Sequence, residues 1–95
     1  MTASGAIVRV IVVNYNGGSM TVDCLRAMVG TEWPREALDI VLVDNGSSDG
    51  VAARVADELP SVAVIRSADN LGFAGGVNLG LRDLPDTTSY VAIVN

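Results

Sequence analysis

Four nearly continuous runs of apolar, mostly β-branched residues alternate along the chain with three segments of helical periodicity. The runs are AIVRVIVV (6–13), LDIVLV (38–43), VAVI (62–65) and YVAIV (90–94). Such runs are typical of strands that are covered on both faces, as in a parallel sheet with helices on either side. The order βαβαβαβ therefore predicts an open three-layer α/β/α domain with right-handed crossovers.

The segments between the strands have the apolar spacing and the end signals of helices. They are 19–29 with Gly30 as a stop, 50–59 capped by Asp49 and ended by Pro60, and 73–84 ended by Pro85. We predict the strand order 3-2-1-4, with the first two helices on one face and the third on the other. This order has a switch point between strands 1 and 4, where a ligand would lie beyond the carboxyl ends of the strands.

Charge and composition exclude several classes of function. The 95 residues carry a formal net charge of −5, with six arginines, no lysine and no histidine. Nucleic-acid and anionic-membrane surfaces need clustered positive charge, so neither is expected as a partner. Without histidine, zinc clusters and Ser-His-Asp or Cys-His catalysis are excluded within this chain. Cys24 is the single cysteine, so no disulfide framework exists, and we interpret Cys24 as a small buried hydrophobic residue.

The N-terminal segment MTASGAIVRV (1–10) contains no basic region ahead of its short apolar run. It therefore has the pattern of neither a signal peptide nor a membrane span. We expect a cytoplasmic location by default.

Polar, glycine-bearing segments follow the first three strands. They are NYNGG (14–18), DNGSSDG (44–50) and SADNLGFAGG (67–76). Each segment alone is explained by a turn or a helix cap. Because the carboxyl ends of parallel strands meet at one edge of the sheet, a shared ligand explains the three together better than three independent turns.

The segment NLGFAGGVNLG (70–80) opens the third helix and has four glycines. Glycine-rich turns at helix N-termini commonly bind phosphate through bare N–H groups. However, the lysine of a P-loop is missing, and the first strand is followed by NYNGGS rather than by a dinucleotide-binding G-x-G-x-x-G. The common nucleotide-binding folds are therefore poor matches.

The motifs VVNYNG, VDNGSSDG and NLGFAGGVNLG, in that order and spacing, resemble the N-terminal half of inverting glycosyltransferases of family 2. The last motif is most similar to the rhamnosyltransferase-like branch, and the resemblance spans residues 7–95. It implies the Rossmann-like half of a nucleotide-diphospho-sugar transferase, the glycosyltransferase A fold. The implied donor is a uridine or thymidine diphosphate sugar, with rhamnose as one candidate, and the implied acceptor is a saccharide or a lipid-linked molecule in cell-surface polysaccharide synthesis. A divalent cation, Mg or Mn, would hold the diphosphate and replace the missing lysine.

The resemblance also implies roles for individual residues. Tyr15 would pack against a pyrimidine base, Asp44 would accept a hydrogen bond from the base N3–H, and Asn45 would shape the pocket. Asn70 and the backbone of 72–76 would approach the donor closely. The complete set of expected donor-binding residues is Asn14, Tyr15, Asn16, Asp44, Asn45, Asn70, Gly72, Phe73, Gly75 and Gly76.

The sequence departs from the family pattern after the fourth strand. There the family has an aspartate motif that holds the metal, whereas this sequence ends at YVAIVN. We therefore expect residues 1–95 to be a single truncated donor-binding domain of a longer enzyme, with neither metal ligands nor catalytic residues of its own and without activity alone. Two alternatives stay open, a nucleotidyltransferase-like domain and a non-catalytic nucleotide-binding module.

Overall fold

The computed structural model of the protein describes residues 6–95. The first five residues, which belong to the segment predicted not to be a signal peptide, lie outside the described residues. The elements in chain order are β1 (Val8–Asn14), α1 (Ser19–Val29), a short 3₁₀ helix (Arg35–Ala37), β2 (Leu38–Asn45), α2 (Val51–Glu58), β3 (Ala63–Ser67), α3 (Gly72–Gly80) and β4 (Tyr90–Val94). Every predicted strand and helix is present.

The four strands form one parallel sheet in the order β3-β2-β1-β4, as predicted. The register brings the carboxyl ends of the strands level with one another. Asn14 of β1 pairs with Asp44 of β2, and Asn45 pairs with Ser67 of β3. On the other side of β1, Val12 pairs with Val94 of β4. The three polar loops therefore leave the sheet along one edge.

The two faces of the sheet are covered by different helices, which confirms the predicted three layers. Alternate residues of a strand point to opposite faces, so each strand contributes to two cores. The core beneath α1 and α2 contains Val10, Val12, Val22, Leu25, Ile40, Leu42, Val51, Val55, Leu59 and Val62. The core beneath α3 contains Ile11, Val13, Val41 and Val43, with Val77, Leu79 and Leu81 packed against them.

Helix α3 is shorter than the predicted 73–84. Arg9 is buried in β1, where its guanidinium donates hydrogen bonds to the carbonyl oxygens of Gly80 (3.2 Å) and Arg82 (3.0 Å). The same guanidinium forms an ion pair with Asp39 at 2.8 Å. Arg9 thus satisfies carbonyls at the end of the helix, and Asp83 then adopts a left-handed conformation with φ of 55°. The apolar spacing that extended the prediction to Leu84 does not reveal this cap.

Strand β4 departs from the prediction that all four strands are covered on both faces. It pairs with β1 alone and forms one edge of the sheet. Tyr90, Val91 and Ile93 are exposed, and no residue of β4 is fully buried. A strand whose sequence is that of an interior strand therefore lies at an open edge.

No helix in the described part of the chain combines the length and the apolar character that crossing a bilayer requires.

Candidate functional site

A cavity of about 510 Å³ opens at the carboxyl edge of the sheet. Its floor is formed by the ends of the strands, one wall by the β1–α1 loop and α1, and the other wall by the start of α3. The lining residues are Val12, Val13, Asn14, Tyr15, Gly17, Met20, Thr21, Cys24, Asn45, Asn70, Gly72, Phe73, Val94 and Asn95. Six of the ten residues predicted from the sequence, namely Asn14, Tyr15, Asn45, Asn70, Gly72 and Phe73, line this cavity.

Asn14 ends β1 and is almost completely buried, with 1% of its surface exposed. Its Nδ2 group lies within hydrogen-bond distance of Asp44 Oδ1 and Ser47 Oγ, both at 3.1 Å, and of Asp49 Oδ2 at 3.3 Å. The amide oxygen accepts hydrogen bonds on the opposite side. Asn14 therefore joins the end of β1 to the end of β2 and to the β2–α2 loop.

The two polar residues at the end of β2 point to opposite faces of the sheet, because successive strand side chains alternate. Asp44 faces α1 and α2, where it accepts the hydrogen bond from Asn14, and it does not line the cavity. Asn45 faces α3, where its Oδ1 accepts a hydrogen bond from Leu71 N–H and its Nδ2 donates to Gly72 O, both at 2.9 Å. The end of β2 thus holds both walls of the cavity.

The β2–α2 loop makes further direct contacts with the other two loops. Asn16 N–H donates to Ser47 Oγ, and Ser48 N–H donates to Asn16 Oδ1, both at 2.9 Å. On the other side Gly46 has φ of 81° and lies so close to the β3–α3 loop that an added β-carbon would meet Asp69 C at 2.8 Å. Glycine is required there for both conformation and space. Asn16 therefore orders the site through the loops and does not line the cavity.

The predicted glycines have different surroundings. Gly72 has φ of 75° and opens α3, and its N–H donates to Asn70 Oδ1 at 2.9 Å. Gly76 is buried against β1, where an added β-carbon would meet Val13 Cγ1 at 2.9 Å. Gly75 lies beneath the side chain of Leu71. Gly75 and Gly76 are thus in packing contacts, and only Gly72 of the three lines the cavity.

Two aromatic side chains project into the cavity from opposite walls. Tyr15 of the β1–α1 loop is 55% exposed, and Phe73 in the first turn of α3 is 48% exposed. Exposed aromatic rings at a concave site provide flat apolar faces for a ring-shaped ligand. Met20 and Cys24 of α1 line the same wall as Tyr15. Cys24 is half-buried at the cavity rather than buried in the core, which corrects its interpretation from the sequence.

Asp49 does more than cap α2. The residue that precedes the helix is Gly50, which has a left-handed conformation, while Asp49 Oδ1 accepts from Val51 N–H at 3.1 Å. Its Oδ2 accepts from Gly18 N–H at 3.0 Å and so fixes the start of α1. Partial burial by itself raises the pKa of Asp49, but the hydrogen bonds from Gly18, Val51 and Asn14 together lower it below 3.8.

Thr21, Ser47 and Asp49 are residues of the site that the sequence prediction did not include. Thr21 Oγ donates to Asn14 Oδ1 at 2.6 Å, and it lines the cavity one helical turn after Gly17. The only feature of the sequence that could have indicated these three residues as part of the site is their position in or next to the polar segments. The contacts of Ser47 and Asp49 join loops that are about thirty residues apart in the sequence, and periodicity does not report such contacts.

Within 6–95 no group of three or more His, Cys, Asp and Glu side chains could hold a metal ion. The carboxylates nearest the cavity, Asp44 and Asp49, accept hydrogen bonds from Asn14 and from backbone N–H groups. The lining offers backbone N–H groups, amides and aromatic rings, which suit a polar ligand with a flat ring.

Comparison with solved structures confirms the fold. The chain is similar to the mannosyltransferase PcManGT from Pyrobaculum calidifontis, solved in complex with GDP-Man and Mn²⁺, with a TM-score of 0.73 and 29% sequence identity over 82% of this chain. It is also similar in fold to TarS from S. aureus, with a TM-score of 0.74 and 23% identity over 93% of this chain. The matches cover 24% and 26% of those two proteins, so this chain spans about a quarter of their length.

No curated protein sequence matches the chain. The family description "Glycosyl transferase family 2" matches residues 9–94, which include all four strands except the first residue of β1. The fold, the order of the three polar loops and this match agree, and the chain belongs to glycosyl transferase family 2.

Proposed function

We propose that the chain is the donor-binding part of an inverting glycosyltransferase that uses a nucleoside-diphosphate sugar. The observation that carries this proposal is the convergence of three loops on one cavity at the carboxyl edge of the sheet. That edge is where open α/β sheets bind their ligands. The family membership and the similarity to a mannosyltransferase that binds GDP-Man support the same class of donor.

In this proposal the base of the donor lies between the β1–α1 loop and the end of β2. Tyr15 offers an exposed ring for stacking. Asp44, which is hydrogen-bonded to the lining residue Asn14, would supply a carboxylate that accepts from a ring N–H. The N3–H of uracil or thymine fits this acceptor, and we propose a uridine or thymidine diphosphate donor. Guanine presents an equivalent donor at N1–H, so guanosine diphosphate is the competing nucleotide to be tested.

The start of α3 faces the rest of the donor. Its N-terminal N–H groups and the positive end of the helix suit a diphosphate. We propose that Asn70, Gly72 and Phe73 contact the diphosphate or the sugar, since all three line the cavity. The similarity of NLGFAGGVNLG to the rhamnosyltransferase-like branch supports rhamnose as the sugar, in a hexosyltransferase of cell-surface polysaccharide synthesis that acts at the cytoplasmic face of the membrane.

The transfer itself would be a direct displacement. An acceptor hydroxyl, on a saccharide or a lipid-linked molecule, forms the new bond to the anomeric carbon while the bond from that carbon to the diphosphate oxygen breaks. A carboxylate base takes the hydroxyl proton. We propose that this base and the ligands of a divalent cation belong to a longer enzyme of which this chain is the N-terminal part.

The alternatives receive less support from the cavity. A nucleotidyltransferase-like domain generally places basic residues near its first loop, and no arginine is among the residues that line the cavity. A non-catalytic nucleotide-binding module would have the same base site as the proposed glycosyltransferase, but it would not transfer a sugar. Assay of the longer protein for sugar transfer separates this module from the enzyme.

Titration of the chain with uridine, thymidine and guanosine diphosphates, followed by NMR, tests the donor site. We expect shifts of the Tyr15, Gly72 and Phe73 amides and a dissociation constant of about a millimolar or weaker, because a helix N-terminus alone contributes only ~0.3 to 1 kcal/mol. Binding in the micromolar range that requires manganese would place a cation site within the chain. If no diphosphate shifts these amides at ~10 mM, an energy of about −3 kcal/mol, the proposed donor site is wrong.

A further inference from the structure

The orientation of the Asn14 amide is determined by two donors on one side and by acceptors on the other. Its Oδ1 accepts from Thr21 Oγ at 2.6 Å and from Gly17 N–H at 3.1 Å. Its Nδ2 lies near Asp44 Oδ1 and Asp49 Oδ2. A flipped amide would place Oδ1 against two carboxylates and Nδ2 against two donors. Thr21 and Gly17 therefore keep the NH₂ group directed at Asp44.

Asp44 depends on this NH₂ group. The residue is 7% exposed, and its Oδ1 receives the hydrogen bond from Asn14 at 3.1 Å. Asp44 does not itself line the cavity, but its partner Asn14 does. In the described residues the hydrogen bond from Asn14 engages Oδ1, which leaves Oδ2 to accept from the base of the proposed donor. The bond from Asn14 restricts rotation of the carboxylate and so fixes where Oδ2 lies. A preorganised acceptor of this kind discriminates between ligands better than a mobile one.

We propose that Thr21 is a positioning residue that acts through Asn14 on Asp44 and thereby sets base selectivity at the donor site. This proposal rests on the function proposed above for Asp44. Uracil carries a hydrogen at N3 and donates to a fixed carboxylate, whereas cytosine has a bare N3 and cannot. Loss of the Thr21 hydroxyl removes one of the two donors to Asn14 Oδ1 and leaves Gly17 N–H alone, so the amide, and with it the Asp44 carboxylate, is held less firmly. The preference for uracil over cytosine then falls.

Thr21→Val tests this because valine has nearly the shape of threonine and lacks the hydroxyl. We expect binding of uridine diphosphate to weaken roughly five- to tenfold, the effect of about one hydrogen bond, and binding of cytidine diphosphate to weaken clearly less. Thr21→Ser keeps the hydroxyl and should retain the preference. Thr31→Val is the matched control, since Thr31 Oγ donates to Met28 O at 2.9 Å outside the cavity.

The Asn14 side chain gives a readout that needs no ligand. In the parent the NH₂ protons of the buried Asn14 should exchange slowly with solvent, and in Thr21→Val this protection should fall. A purely structural role for Thr21 predicts that both diphosphates weaken by the same factor, and this outcome would overturn the proposal. An unchanged uracil preference in Thr21→Val would also overturn it. A parent that binds both diphosphates equally would instead refute the role of Asp44 in the proposed function.

Discussion

Gly80 of α3 lies directly against Ile11 of β1, and a β-carbon built on Gly80 would come within 2.5 Å of Ile11 Cγ2. One turn earlier, Gly76 is in the same position relative to Val13. These two glycines bring α3 closer to the sheet than any side chain would permit. The wall of the cavity that carries Gly72 and Phe73 therefore depends on the packing of a helix face several residues away.

We predict that Gly80→Ala destabilises the protein. The added methyl group has no space beside Ile11, and overpacking of this kind costs about 1 to 3 kcal/mol. Gly30→Ala is the control, because a β-carbon there would meet Arg26 O at 3.4 Å and Ala27 O at 3.7 Å, both ordinary contacts. Urea unfolding measures both effects. Equal midpoints for the two variants would show that α3 can move away from the sheet without cost.

Removal of the Tyr15 ring should weaken nucleotide binding. If Tyr15 stacks on a base, Tyr15→Ala loses about 1 to 3 kcal/mol of binding free energy, the range for base–aromatic stacking, with little change in stability because the ring is exposed. Tyr90→Ala is the matched control, since Tyr90 is also exposed but does not line the cavity. NMR titration with uridine diphosphate compares the two, and equal affinities would remove Tyr15 from the site.

Substitution of Asp44 separates a ligand contact from a structural one. Asp44→Asn keeps an oxygen that can accept from a base N–H, so we expect it to weaken uridine diphosphate binding less than Asp44→Ala does. Asp44→Ala removes the hydrogen bond from Asn14 and Asp44→Asn weakens it, and thermal unfolding reports this structural effect separately. Normal binding of uridine and thymidine diphosphates by the alanine variant would contradict the assignment.

The lowered pKa of Asp49 predicts an acid-sensitive contribution to stability. A group whose folded pKa lies below its unfolded value of 3.8 stabilises the fold above that pH, and this contribution is lost as the pH falls through the folded pKa. We therefore expect Asp49→Asn to be less stable than the parent at pH 6, by under about 1 kcal/mol because the side chain is exposed. The difference in stability between the two proteins should shrink below pH 3.8.

The pKa of Glu58 is also lowered, chiefly by its hydrogen bond from Arg54, but this effect is common to the parent and to Asp49→Asn and cancels in the comparison. A difference that is constant from pH 6 to pH 2 would contradict this prediction.

The sequence predicted the sheet order and the helix faces because both depend on strong, local patterns. Continuous β-branched runs mark the strands, and the crossover rules leave few topologies for four of them. Helix α3 was predicted four residues too long. The carbonyl of its last residue, Gly80, accepts from Arg9, which lies about seventy positions earlier and whose role no local pattern reveals.

The sequence predicted where the candidate site lies more completely than it predicted what each of its residues does. Asn14 and Asn45 were expected to bind the donor, and the structure shows most of their hydrogen-bonding groups engaged by neighbouring loops. A short amide side chain at a strand end suits both purposes, so residue type alone does not separate them. Asp49 was assigned to a cap, and its contact with Gly18 depends on how two loops meet in space.

The open edge of β4 is a place where a further strand could pair with the sheet. Tyr90 N–H is directed at β1, where it meets Ile7 O at 3.2 Å. Alternation along the strand then turns the N–H and C=O groups of Val91 and Ile93 away from β1. No charged residue interrupts β4, whereas the opposite edge strand, β3, carries Arg66. An added strand would therefore find unpaired backbone groups and apolar neighbours at β4 and the charged side chain of Arg66 at β3, and we expect the sheet to extend from its β4 edge.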